Sequence, residues 1–98
     1  MNPQLMRAIA EKRLIEFVYR LRQTRLVEPH DYGIRGGVEY LLGYQLSGGS
    51  RSGAPQGWKW FAVGEMHQLC VLERRFAGTR ADSAQQHSAW DTLFARVA

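Results

Sequence analysis

Cysteine is nearly absent: Cys70 is the single thiol in 98 residues, so no internal disulfide can staple the chain, which suits a reducing compartment. Long apolar runs are missing too. None exceeds four residues, far below the roughly 18 of a bilayer-spanning helix, and Met1 leads into no charged-then-apolar signal segment. The protein is therefore expected in the cytoplasm, with no membrane partner. Lysine is scarce, since eleven of the thirteen basic residues are Arg, whose planar fork suits phosphate and carboxylate better than an ammonium does. Metal-ligand spacing is lacking as well: His30, His67 and His87 stand far apart with no second ligand nearby on one element, so neither a metal nor a cofactor is expected. The glycine-rich stretch Gly48-Gly49-Ser50-Arg51-Ser52-Gly53 carries no nucleophile-elbow pattern and no Walker lysine, and no acid–base pair is visible, so an enzyme is not expected.

What is present points to one domain. A chain of 98 residues with 45% hydrophobic and 11% aromatic content is neither disordered nor collagen-like. Folding should remove about two-thirds of its unfolded surface from water. The net charge is +4 and the pI near 9.7. The excess lies at the front: seven basic and four acidic side chains through Arg35, two and two over residues 36–72, four and three thereafter.

Along the chain, Asn2 before Pro3 reads as an N-cap with proline at the first helical position, and Leu5, Met6 and Ile9 follow at helical spacing. A short helix is predicted over residues 3–12. From residue 14 the period changes, with Ile15, Phe17 and Tyr19 alternating against Glu16, Val18 and Arg20. Residues 25–34 look extended, although Pro29 lacks an N–H and belongs at an edge or bulge. Gly36-Gly37 offers a tight turn. Residues 38–47 form the clearest strand, with Val38, Tyr40, Leu42, Tyr44 and Leu46 on one face. After a glycine- and serine-rich loop, residues 58–63 and 68–73 complete five strands. A polar tract, 77–87, reads as a linker. Ser88 then heads a capping-box-like Ser-x-x-Asp, and Trp90, Leu93, Phe94 and Val97 trace a helical stripe, predicting a C-terminal helix over 88–97. The fold class is thus α+β and mainly β: a small, strongly bent five-stranded antiparallel sheet closing toward a barrel over residues 14–76, with a short helix at each end. Cys70, between Leu69 and Val71, is expected to pack as a small hydrophobe.

Tyr32, Tyr40, Tyr44, Trp58, Trp60 and Phe61 concentrate on the central strands beside Arg25, Arg51 and Lys59. Flat rings interleaved with cations are the physical recipe for a single nucleic-acid strand, although a domain this small needs at least half of these rings for its core.

Several motifs over residues 14–80 resemble the WYL domain, a bacterial family with a small SH3-like or Sm-like barrel. They are Phe17-x-Tyr19, Arg25-Leu26-Val27-Glu28-Pro29, Tyr40-Leu41, Lys59-x-Phe61 where the family has Arg-x-Phe, and the downstream Phe76. Glu28-Pro29-His30-x-Tyr32-Gly33, Gly43-Tyr44-Gln45, Gly48-x-Ser50-x-Ser52-Gly53 and Gly57-Trp58-Lys59 are similar to short stand-alone members. Two departures stand out: Glu39 occupies the place of the naming tryptophan, and Glu65 falls where many members have arginine. The resemblance implies a sensor that binds an oligonucleotide or other ligand in transcriptional control. The opening helix is too short and solitary for a helix-turn-helix, so direct promoter reading is not expected.

The reading is then a non-enzymatic module that binds single-stranded nucleic acid or a nucleotide-like anion. Arg25, Arg51 and Lys59 would neutralise phosphate, Tyr44 and Trp58 would stack, and Gln45, Ser47 and Ser50 would hydrogen-bond, with His30 and Tyr32 secondary. The rival is an interaction module that forms a homodimer through a strand edge and takes no small ligand.

Overall fold

Asn2 caps the first element as the sequence requires: its Oδ1 accepts from the backbone N–H groups of Gln4 at 2.9 Å and Leu5 at 3.2 Å, and α1 runs Pro3–Ala10. In the computed structural model, which describes residues 1–49, 56–81 and 90–98, α1 lays Leu5, Ala8 and Ile9 onto a sheet. The strands are β1 (Arg13–Tyr19), β2 (Gln23–Arg35), β3 (Val38–Gly48), β4 (Gly57–Ala62), β5 (Met66–Arg75) and β6 (Thr92–Arg96). All pairings are antiparallel, in the order β4-β3-β2-β1-β5, with β6 added to β2.

Two expectations are corrected here. Among the described residues six strands form instead of five, and the sheet is open, with β4 and β5 unpaired at its two ends. Nor is the C-terminal element a helix over its described residues: 92–96 is strand β6. The stripe was genuine in composition, but β2 offers an unpaired edge beyond Pro29, and Thr92, Leu93 and Phe94 suit a pleated surface. A bulge at Phe94, between the pairs Tyr32↔Ala95 and Gly33↔Leu93, lets Phe94 and Ala95 both pack against the core with Val97, while Trp90 lies on the outer face against Trp60 and Leu93 is exposed, so the stripe is split between the two sides. Ser88 and residues 82–87, the start of that predicted helix and the end of the linker, lie outside the described residues.

The long strand β2 organises the molecule. Residues Gln23 to Val27 pair with β1, while Asp31 to Ile34 pair with β6. Pro29 falls in the gap, where neither neighbour asks for its missing N–H. Opposite β3, Pro29 pairs with Gly43 and Asp31 with Leu42, so His30 is an extra residue. This bulge shifts the phase of the strand: Val27 and Tyr32 reach the core, whereas Glu28 and Asp31 align with Tyr44 and Leu42 on the other face. Gly36-Gly37, with φ of 58° and 79°, closes the two-residue turn into β3.

The sheet therefore has two covered faces. The inner one, under α1, buries Ile15, Phe17, Val27, Leu41 and Phe61. It curls so far that the Tyr19 hydroxyl on β1 accepts from the Ala62 N–H on β4 at 2.9 Å. The outer one carries Leu42, Tyr44, Trp58 and Trp60, partly overlain by Arg80 and Trp90 from the C-terminal part of the chain. Cys70 is exposed, correcting its assignment to the core. It pairs with exposed Glu16 on the outward side of β1, while Val71 pairs with buried Ile15 on the inward side.

Candidate ligand-binding site

Arg25 is the least ordinary side chain of the inner face. It stands beside Phe17 on β1 and Gly48 on β3, and is only 7% exposed. Its guanidinium carbon lies 5.3 Å from the Tyr19 ring centroid and 5.9 Å from that of Phe61. Nη1 donates to Gln45 Oε1 at 3.3 Å, but buried Nε has no hydrogen-bond partner. No carboxylate pairs with it among the described residues. Burial, followed by the positive charges of Arg20 and Arg22, lowers its pKa, while Tyr19 opposes the shift. A buried cation that keeps an unused donor is costly unless an anion completes it. Lys59 lies opposite Gly43 on this same inner side, and Gly43 sits against Val27. Gln45 is fully buried and donates through Nε2 to the Gly49 carbonyl at 3.0 Å. Ser47 is exposed next to Gly48. Ser50 and Arg51 lie outside the described residues.

Tyr44 and Trp58 occupy the opposite face. Each directly precedes an inner-face residue, Gln45 and Lys59, and strand alternation sends the two members of each pair to different sides. The Tyr44 and Trp58 rings meet edge to face at 5.5 Å. Arg80 lies over Tyr44, with its guanidinium carbon 3.5 Å from the ring centroid. The same guanidinium makes a forked pair with Glu28 at 2.8 and 3.0 Å. His30, fully buried, contacts Trp58 at 4.7 Å and Phe76 at 5.5 Å between ring centroids, and its Nε2 lies 3.3 Å from Glu28 Oε1. A depression of about 460 Å³ opens beside Glu28 and residues 77–81. Another, of about 500 Å³, lies between Arg35, Val38, Tyr40 and Trp60, where Arg35 stacks on Trp60 at 4.5 Å.

Tyr32 serves the N-terminus. Its hydroxyl donates to Glu39, the residue in the naming-tryptophan position, and accepts from the Asn2 N–H at 2.7 Å. Burial and then the Glu39 carboxylate push its pKa from 10.0 up to about 12.

The eight sequence-derived site residues that the structure describes thus do not form one cluster. Arg25, Gln45 and Lys59 share the inner side; Tyr44, Trp58 and His30 share the outer one; Tyr32 belongs to the helix anchor. Sequence reasoning passed over Arg20 and Arg22 beside Arg25, and Arg80 on Tyr44. The spacing Arg20-x-Arg22-x-x-Arg25 within a turn was the available signal for the first two, while Arg80 gave none, because its partner Glu28 is 52 residues away.

The motifs and the helix-plus-sheet architecture agree with what comparison finds. The WYL domain family matches residues 2–71, and the chain belongs to it. Among solved structures, it is similar to proteasome accessory factor B/C (PafBC) of Arthrobacter aurescens, with 24% identity and a TM-score of 0.63 over 88% of this chain. At that identity the likeness shows the fold alone, and the chain spans only 14% of that protein's length. No curated protein matches it.

Proposed function

We propose that this WYL domain is a non-enzymatic, ligand-sensing module of a regulatory kind, which binds single-stranded nucleic acid or a nucleotide-like anion on its inner face around Arg25. The observation that carries this reading is the buried Arg25 guanidinium with a spare Nε donor and no counter-charge among the described residues. A phosphate oxygen completes such a group with a charge-assisted hydrogen bond. Gln45 and Lys59 add an amide and a second cation on the same side, whereas Ser47, paired with Leu26, belongs to the other. Short single-stranded DNA and RNA titrated at two salt concentrations test it. Wild-type protein binds and weakens as salt rises, and Arg25→Gln loses about tenfold or more in affinity. No binding at micromolar protein and low salt defeats the proposal.

One observation favours a second reading, homodimerisation through a strand edge. Strand β5 pairs with β1 alone and its other edge has no strand partner among the described residues, which is a template for a further strand. Light scattering decides it: a mass that stays monomeric at every concentration removes this alternative.

A further inference from the structure

The turn joining β1 to β2 is built from residues that suit it poorly. Arg22 N–H donates to the Tyr19 carbonyl at 3.2 Å, and the two central residues, Arg20 and Leu21, have φ of 55° and 57°. Glycine or asparagine takes that left-handed conformation readily, whereas each ordinary side chain there costs about 1–2 kcal/mol. Strain kept at a surface tip is characteristic of a segment whose side chains have another use. Leu21 is 77% exposed, and Arg20 and Arg22 are exposed beside it. Neither arginine forms an ion pair among the described residues. That includes Glu65, although its backbone carbonyl accepts from the Arg20 N–H at 3.0 Å.

Arg20 and Arg25 also share one ring. Their guanidinium carbons lie 5.0 and 5.3 Å from the Tyr19 centroid, and the Tyr19 hydroxyl is tied to β4. Like charges gathered around a fixed ring repel one another unless a polyanion neutralises them together. Exposure is graded along the turn: Arg20 and Arg22 are exposed, whereas Arg25 is buried. A flat anionic surface cannot reach a side chain that is 7% exposed, but a flexible strand with phosphates at different depths can.

We infer that the β1–β2 turn is a phosphate clasp in which Arg20 and Arg22, with Arg25 behind them, hold neighbouring phosphates of one single nucleic-acid strand. This rests on the function proposed above and adds two contacts to it.

The test is the salt dependence of oligonucleotide binding. Each phosphate contact on a single strand contributes roughly 0.7 to the slope of log K against log salt, so Arg20→Gln/Arg22→Gln lowers the slope by about 1.4. A charge-matched control away from the turn, Arg7→Gln/Arg74→Gln, leaves it unchanged. Circular dichroism melts establish that both pairs keep the fold. An unchanged slope in the turn variant, with wild-type binding intact, overturns the clasp alone and leaves the function standing. An equal fall in the control, or an effect seen only on anionic vesicles or acidic peptides, also overturns it. Failure of the wild type to bind any strand removes both.

Discussion

Tyr32 shows how one hydroxyl can hold an element in place. The group accepts from Asn2, whose side chain caps α1, and donates to Glu39 on β3. Tyr32→Phe should destabilise the fold by about 1–2 kcal/mol near neutral pH, read from chemical denaturation. The pH dependence has a definite sign. Since the folded pKa is raised from 10.0 to about 12, the contribution is complete below pH 10 and is lost as the pH climbs toward 12; the phenylalanine variant lacks that decline. Arg96 provides a second single-residue test. It makes a forked pair with fully buried Asp31 at 3.0 Å, and those hydrogen bonds raise its own pKa. Arg96→Met removes the forked pair from the buried Asp31 carboxylate, which keeps the Trp90 Nε1–H at 3.0 Å, and should cost about 2 kcal/mol in thermal denaturation. That is below the cost of a fully buried pair, because water reaches the guanidinium. At this scale the sequence was legible where chemistry is local, as in the Asn2-Pro3 cap. It singled out Arg25 as a cation but not its burial, which depends on the rings of Tyr19 on β1 and Phe61 on β4 that no short window brings together.

At the level of elements, β6 is the instructive one. Gly33 permits its approach: a Cβ at that position would collide with the Thr92 carbonyl oxygen and come within 2.9 Å of the Trp90 ring. Gly33→Ala should therefore destabilise the protein by about 2 kcal/mol, with amide exchange speeding up first in β6. Gly36→Ala meets no neighbouring atom within 4 Å, so its cost is confined to its φ of 58°, about 1 kcal/mol. The turn at Gly36-Gly37 and the alternation of β3 were readable because each is a pattern internal to a few residues. The strand nature of 92–96 was not, since it follows from an edge left open by β2 some sixty positions earlier, which no local periodicity reveals.

For the whole molecule, the two covered faces share β2 and β3, so neither can lose its partners without unravelling the other. Trp58, Trp60 and Trp90 all report on the outer side, whereas far-ultraviolet circular dichroism reports on the complete sheet. The two signals should trace one coincident denaturant transition; separated midpoints would show that the faces unfold independently. The same division explains why the aromatic–basic constellation was only half legible. Composition placed rings and cations on the same strands, but alternation assigned them to opposite sides, and periodicity read without strand pairing cannot say which side meets a ligand.

The additional residue at His30 sets a constraint of a different kind, on length. Removing His30 would leave Pro29 against Gly43 and Asp31 against Leu42 in an unbroken ladder, keeping Asp31 and Tyr32 on their present sides, at the cost of the ring that packs on Trp58 and Phe76. An insertion there has no such release: a second extra residue would have to be bulged out as well, or Asp31 would turn into the core and Tyr32 out to water in a single step.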